Sequence, residues 1–358
     1  MSRAISPSPW YVILYVTTRC NQRCNMCFYW EKLNTLGADE EFSLEEFEKI
    51  AKALPNLYQL TLTGGEPTLR SDLIDIIGIF YRVSGVKRIT IPTNGFYVDK
   101  LTDLATRAMN EFPGLMLSIN ISIDAIGEEH DKIRKLPNSF KNLEESYRQL
   151  SKIQKNFPNL HLATASVITV TNKDSVLPML EYIKDHFDIA RHGLMLARGD
   201  IQSEDGAPIA DQDFVKFLTL HREMVQDQSA LSAAVANQYT ASRIDTLIEG
   251  RMKDPCQAGK KLLVIKENGD LYPCEILDVL ASEGKTDAPE LGDFCFGNLR
   301  ESGFDIKSLL SSPRGESIRQ FIADNRCWCT FECAQINNFV LNPSSYFRVA
   351  KRYLTNAL

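Results

Sequence analysis

Three cysteines fall close together near the start of the chain, in the run Cys20-Asn21-Gln22-Arg23-Cys24-Asn25-Met26-Cys27. A C-x3-C-x2-C spacing lets three thiolates from one loop hold three irons of a [4Fe–4S] cube and leaves the fourth iron without a protein ligand. An open iron can take a ligand from a substrate or cofactor. Structural zinc normally closes with four protein ligands, and no fourth Cys or His stands nearby in the sequence. Disulfide pairing would strand one thiol and needs an oxidising compartment. A second group, Cys256, Cys274, Cys327, Cys329 and Cys333, gathers in a C-terminal stretch otherwise poor in large apolar residues. There, metal ligation can substitute for a core. Thiols in this number suit either zinc or an iron–sulfur cluster, and spacing does not separate the two. Cys295 fits neither group and reads as a small buried hydrophobe.

Other chemistry-bearing residues sit where strands should end. Gly64-Gly65-Glu66-Pro67 combines two glycines, which let backbone approach a ligand closely, with carbonyls and a carboxylate able to accept from an ammonium group. Asn94 ends the next apolar run, and Ser122-Ile-Asp124 is followed by His130-Asp131-Lys132-Ile133-Arg134. These are natural partners for a ribose or a carboxylate. The plainer alternative makes Asp124 and His130 helix caps and Arg134 a solvated side chain. Arg198, after the sixth candidate strand, could bind a carboxylate or phosphate, but a surface arginine is the favoured explanation. For a general base, Glu275, Asp278, His192 and Asp200 stand at candidate positions, and nothing in the sequence ranks them.

Elements able to position these residues alternate along the first two-thirds of the chain. Apolar runs predict strands over 10–17, 58–63, 87–92, 114–123, 161–170 and 192–197. Amphipathic stretches predict helices between them, the first opening with the capping box Ser43-Leu-Glu-Glu46 and the rest near 71–84, 99–111, 141–156 and 174–186. Further helices are expected over 213–226 and 230–249, then a hairpin at Glu267-Asn268-Gly269-Asp270. The tail 345–358 is expected to pack as a helix. In a βα barrel, active sites form at the C-terminal strand ends, where Cys20–Cys27 falls.

The cysteine loop after strand one, the GGEP turn after strand two and the Ser122/Asp124…Arg134 run together resemble the radical S-adenosylmethionine (SAM) superfamily. The resemblance implies an α/β fold, a (β/α)6 partial TIM barrel. It implies an open iron that binds SAM, and reductive cleavage of SAM to a 5′-deoxyadenosyl radical that takes a hydrogen atom from substrate. It implies SAM contacts from Gly64, Gly65, Glu66, Pro67, Asn94, Ser122, Asp124 and Arg134. Met26 stands where an aromatic residue often lies beside the adenine, so Met26 is expected to share that contact with Phe28 or Tyr29. Cys256…Gly269-x4-Cys274…Cys327-x-Cys329-x3-Cys333 resembles the SPASM/twitch extension of the same enzymes. One auxiliary [4Fe–4S] cluster is then expected on Cys256, Cys274 and Cys333 with either Cys327 or Cys329, zinc remaining the alternative. Residues 1–235 would form the barrel, 250–340 the auxiliary domain and 341–358 a tail.

Composition narrows the setting. The chain has 358 residues, 44% hydrophobic and 24% charged, with net charge −6, ordinary for a globular protein. No apolar run approaches the roughly 20 residues of a membrane span, and the N-terminus lacks a secretory leader pattern, so a cytoplasmic location is expected. Without a long basic run, nucleic acid is a poor partner. The expected partners are a small-molecule or peptide substrate and a reducing donor such as a flavodoxin or ferredoxin. The function expected is oxidation, dehydrogenation or other C–H modification of a sugar or alcohol. The alternative is maturation of a ribosomal peptide, disfavoured mildly because strand one begins near Trp10.

Overall fold

In this computed structural model the described residues are 9–37, 40–189, 191–224, 229–282, 286, 291 and 293–356. Six parallel strands alternate with helices, as the periodicity predicts. They are β1 (Tyr11–Thr17), β2 (Gln59–Gly64), β3 (Arg88–Thr93), β4 (Met116–Ser122), β5 (Leu160–Ile168) and β6 (Arg191–Leu196). The helices of this part are α1 (Leu44–Ala53), α2 (Leu73–Ile79), α3 (Val98–Glu111), α4 (Glu128–Arg134), α5 (Ser139–Gln154) and α6 (Val176–His186). Two more follow, α7 (Asp211–Met224) and α8 (Ala230–Glu249), and the expected end of α7 at Gln226 lies outside the described residues. Ser43 and Glu46 form the reciprocal capping box of α1.

The C-terminal part contains β7 (Leu262–Ile265), β8 (Asp270–Tyr272), α9 (Leu277–Ser282), β9 (Gly297–Asn298), α10 (Ile306–Ser311), α11 (Pro313–Ala323), α12 (Glu332–Leu341) and α13 (Pro343–Asn356). The sheet runs β6-β5-β4-β3-β2-β1-β7-β8-β9. β7 pairs in parallel with β1, Tyr11 opposite Leu262 and Leu14 opposite Ile265, and the β7–β8 hairpin is antiparallel. The hairpin expected to open a separate unit therefore continues the barrel sheet. It pairs with what would otherwise be an open strand edge.

Side-chain alternation sorts the barrel strands into two faces. Val12, Leu14, Leu60, Leu62, Ile89, Ile91, Leu117, Ile119, Leu160 and Leu162 face outward, in one core with Phe47, Ile50, Ile76, Leu101 and Leu143 of the helices. The inward positions are more polar: Tyr11 and Tyr15 on β1, Thr61 and Thr63 on β2, Arg88 and Thr90 on β3, Ser118 and Asn120 on β4. The register aligns them across the sheet, Thr61 opposite Thr90 and Thr90 opposite Ser118. The result is a helix-jacketed half-barrel with a polar lumen. Among the described residues no helix is long and apolar enough to cross a membrane.

Outside the sheet lie buried imidazoles. His192 is the second residue of β6 and faces outward, its Nδ1 2.7 Å from the Thr164 hydroxyl and its Nε2 3.3 Å from that of Ser166. Its position opposite to the lumen face removes it from the general-base candidates. The His221 ring on α7 meets it edge-on at 5.5 Å. Burial, then Arg243, holds His221 down to about 4. Burial and His221 hold His192 well below its ordinary value, and burial and Arg134 do the same to His130. Such groups stay neutral when folded but bind protons once unfolded, so stability falls as pH drops through about 6.5. At pH 5.5, His221 alone costs about 1.4 kcal/mol relative to neutral pH. Urea unfolding at pH 7.5 and 5.5 should show that loss, and His221→Gln should narrow the difference by a similar amount.

Candidate active site

The cysteine loop follows β1 and is fastened from below by the turn after β2. Gly65 N donates to Thr17 O at 2.8 Å and Glu66 N to Arg19 O at 2.7 Å. A Cβ on Gly64, at φ 130°, would collide with the Thr17 carbonyl, and one on Gly65 with the Arg19 carbonyl. These glycines are thus required by the crossing backbone itself. Pro67 opens a single helical turn behind them.

Glu66, buried, is a brace. Its Oε1 accepts from Thr68 N, the Thr68 hydroxyl and the Thr93 hydroxyl, and its Oε2 accepts from Asn94 N at 2.8 Å. Burial raises its pKa, and these four donors oppose the rise. The carboxylate read from sequence as an ammonium acceptor spends most of its capacity joining β2 to β3. Asn94 in turn donates from Nδ2 to Asn21 Oδ1 at 2.8 Å, inside the cysteine loop.

The far side of the loop is held by the region after β4. Asp124, buried at 1% exposure, accepts from Arg134 Nε at 2.6 Å and from Val167 N at 2.9 Å. Arg134 is itself buried, which excludes the solvated-surface alternative. Its Nη1 lies 3.4 Å from Gln22 Oε1 and 3.7 Å from Cys24 Sγ. Burial works against its charge, but Asp124 and Cys24 outweigh burial and hold its pKa above the ordinary value. His130 Nδ1 accepts from Asp124 N at 3.2 Å. Ser122 ends β4 half-buried. Met26 is buried with Ala125, Ile133 and Ala197, at the ends of β4 and β6, while Phe28 packs beneath Gly199. The residues expected to hold SAM thus surround one loop.

Within it Cys20, Cys24 and Cys27 are free thiols. Burial, with repulsion from Cys24, pushes Cys20 up to about 12 and Cys27 up to about 11. Burial also raises Cys24, against Arg134. Thiols this reluctant to ionise need a cation to become thiolates, as metal ligation supplies.

A second set of thiols lines one enclosed cavity: Cys256, Cys274, Cys327 and Cys329, with Met252, Ile276, Leu280 and Trp328 around them. Burial is the largest influence raising all four. Cys333 departs from the expected ligand set. In the first turn of α12 it does not line the cavity, whereas Cys327 and Cys329 in the preceding non-helical run both do. Burial and Glu275 push Cys333 up to about 12, with Tyr11 as its hydrogen-bond partner. Cys295 Sγ accepts from Gly297 N at 3.3 Å, in the β8–β9 region.

The two thiol sets meet one apolar cluster built on Tyr11, Ile13 and Tyr15 of β1, against which Cys20, Cys27, Cys274, Cys329 and Cys333 pack. The Tyr15 hydroxyl donates to Glu275 at 2.7 Å, and Lys266 Nζ lies 3.8 Å from the Tyr15 ring centroid. Arg198 is no surface residue. It pairs with Glu332 at 2.8 Å and stacks on Phe331, and Arg243 joins Glu332 at 3.1 Å. Sequence gave little sign of this bridge, because its partners lie over 80 residues apart. Of the remaining base candidates, Glu275 meets Tyr15, Asp200 lies in the loop after β6, and Asp278 is part of α9.

Comparison with known families agrees with this geometry. The radical SAM superfamily profile matches residues 14–183, and a profile described as an iron–sulfur cluster-binding domain, SPASM, matches 256–334. The chain belongs to the radical SAM superfamily and carries a SPASM/twitch-type domain at its C-terminal side. Its cofactors are therefore SAM and two [4Fe–4S] clusters, one of them auxiliary. Among curated proteins it is 31% identical over 178 residues to the GTP 3′,8-cyclase of Lactiplantibacillus plantarum, covering 49% of this chain and 51% of that one. It is 26% identical over 282 residues to the GTP 3′,8-cyclase of Helicobacter pylori, covering 74% and 79%. The chain thus spans about half the length of the first of these relatives. In fold it resembles anSMEcpe with bound AdoMet, at TM-score 0.62 and 15% identity over 97% of this chain and 96% of that one. It also resembles SuiB of Streptococcus suis, at 0.61 and 14% over 88% and 68%. The cyclase relatives overturn both functions expected from sequence, sugar or alcohol oxidation and peptide maturation, since they are named for a different reaction.

The backbone crossing at Gly65 gives a direct test. Gly65→Ala should displace the cysteine loop, lower stability by about 1–3 kcal/mol and impair cluster loading. Thermal unfolding and visible absorbance after anaerobic reconstitution would read both effects.

Proposed function

We propose that this enzyme acts on a purine nucleoside triphosphate and closes a ring on it, the reaction class named in its curated relatives. The observation that carries this reading is the likeness to the Helicobacter pylori cyclase, which extends over 74% of the chain. The polar lumen supports it, because Thr61, Thr90, Ser118 and Asn120 offer hydrogen bonds to a hydroxylated substrate rather than an apolar wall.

A cluster held by Cys20, Cys24 and Cys27 would supply the reducing electron for SAM cleavage, and SAM bound beside it would supply the acceptor for a substrate hydrogen atom. Joining C3′ to C8 requires C3′ to lose a hydrogen, so the substrate ribose must face the loop. We assign SAM to the surface made by the Gly64–Pro67 turn, Asn94, Ser122, Asp124 and Arg134, with Met26 and Phe28 covering adenine. Arg134 would keep negative charge at Cys24 and at the SAM carboxylate neutralised, while Asp124 fixes its direction. The auxiliary cluster is assigned to Cys256, Cys274, Cys327 and Cys329. Four thiolate ligands would leave no iron open to substrate, which favours electron exchange over substrate ligation. Four thiols standing around one cavity suit a cube. Tyr11 and Tyr15, wedged between the thiol sets, exclude water from the space between them. Residues 1–235 would serve SAM, 250–340 the auxiliary cluster and 341–358 the tail. A flavodoxin- or ferredoxin-type donor in a reducing cytoplasm fits nine free thiols.

Iron content tests the ligand assignment. The reconstituted chain should hold about eight irons, and Cys20/Cys24/Cys27→Ala about four, from two cubes of four. Cys333→Ala should keep about eight, whereas Cys327→Ala should drop toward four. For the reaction, reconstituted enzyme with SAM and dithionite should form 5′-deoxyadenosine faster with GTP present, carrying deuterium from GTP labelled at C3′. Equal, unlabelled 5′-deoxyadenosine with and without GTP would refute the nucleotide reading.

A further inference from the structure

Residues 254–257 carry Cys256 to the thiol-lined cavity, and the C-terminal helices hold this short segment at both ends. Asp254, buried, accepts from Asn342 Nδ2 at 2.6 Å and from the Ser345 hydroxyl at 3.1 Å, and it pairs with Arg348. At the other end Gln257 N donates to Asn338 Oδ1 at 2.8 Å. Cys256 therefore stands between two fixed points, one at the start of α13 and one on α12.

Asn338 does more than anchor backbone. It is 1% exposed and follows Ala334, which lines the cavity, by one helical turn. Residues four apart share a helix face, so α12 brings Asn338 to the side that meets the thiols. Oδ1 already accepts from Gln257 N, which settles the orientation of the amide and leaves Nδ2 as the free end. That nitrogen is buried without a hydrogen-bond partner. A buried donor without an acceptor is a cost the fold carries, and one that native structures rarely keep without cause. A neutral thiol is a weak acceptor, whereas a sulfur that ligates metal is a thiolate and accepts strongly. Burial raises the Cys256 thiol, and the backbone at Ala258 and then the Asn338 side chain oppose the rise.

We propose that Asn338 is a positioning residue for the auxiliary cluster: its Nδ2 donates to the Cys256 sulfur once that sulfur ligates iron, and the bond raises the cluster's reduction potential. Reduction adds negative charge to the cluster and its sulfurs, so a donor aimed at one of them favours the reduced form. Asn337 provides the contrast. Its Nδ2 is also buried and unpartnered, but it follows Cys333 by one turn, and Cys333 does not line the cavity. The inference rests on the assignment of Cys256 as a ligand under the proposed function, and it is independent of the substrate.

The test is a redox titration of the full chain, reconstituted anaerobically and followed by electron paramagnetic resonance. A Cys20/Cys24/Cys27→Ala background lets the auxiliary cluster be read alone. There, Asn338→Leu should disfavour the reduced cluster about tenfold, a fall in midpoint potential of about 59 mV for one electron, while Asn337→Leu leaves the potential in place. An unmoved potential in Asn338→Leu at full iron content overturns the proposal, as does an equal fall in Asn337→Leu. A second measurement needs no variant at position 338, and so stands even if Asn338→Leu loads no iron. Chain made with asparagine carrying 15N at Nδ2 should show 15N coupling to the reduced auxiliary cluster in pulsed spectra, and its absence overturns the bond. Cys256→Ala separates the two assignments. Iron retained at about four in that background rejects Cys256 as a ligand and the Asn338 bond with it. Iron lost there, with an unmoved potential in Asn338→Leu, keeps the ligand and rejects the bond.

Discussion

The backbone crossing of Thr17–Arg19 over Gly64-Gly65 is the constraint on which the site depends. Two peptide planes approach so closely that no side chain fits between them, and the two resulting hydrogen bonds set the height of the cysteine loop above the sheet. Everything polar nearby is arranged to keep that crossing in place. Arg19 pairs with buried Glu41, and Arg70 reaches the same carboxylate while its Nη1 donates to Val16 O and its Nη2 to Phe42 O. Gln22 Nε2 donates to the Ser139 hydroxyl at 2.7 Å, tying the loop to α5. Glu66 and Asn94 continue the lacing to β3. Each bond is modest, but together they leave the loop few ways to move.

Two of the buried charge clusters lie beside the two thiol sets. Asp124–Arg134 sits under the cysteine loop, and Glu332 with Arg198 and Arg243 joins β6 and α8 to the start of α12. Buried pairs seldom add much stability over apolar substitutes, but removing one partner is expensive because a lone charge remains. The Glu332 unit connects segments distant in sequence, and Arg134 reaches back to Gln22 and Cys24. They therefore specify which surfaces meet, and they do so beside the two thiol sets, where geometry matters most for electron transfer.

Much of this was legible in the sequence. Period-two apolar runs gave all six barrel strands, because a strand buried against helices on its outer face must repeat Ile, Leu and Val there. The loop Cys20–Cys27, the GGEP turn and Arg134 stood out because each is local in the sequence and together they resemble a known family. What escaped has the opposite character. The continuation of the sheet through β7 depends on Leu262–Ile265 meeting Tyr11–Leu14, a pairing no local pattern announces. The family resemblance implied Cys333 as an auxiliary-cluster ligand; in the structure helix α12 begins one residue before it, and its hydrogen-bond partner is Tyr11. The brace role of Glu66 was hidden for a similar reason, since its donors come from Thr93 and Asn94 on another strand. The radical chemistry was legible, and the substrate was not.

The β1–β7 pairing also has a consequence in time. β1 pairs on one edge with residues some 250 positions later, by the difference between Tyr11 and Leu262. At 5–20 residues per second, translation needs roughly 12–50 s to deliver that partner. During this interval β1 has one exposed edge, and the thiol-bearing segment that follows it is covered from one direction alone. The late arrival of β7 is therefore what completes the sheet beside the Cys20–Cys27 loop.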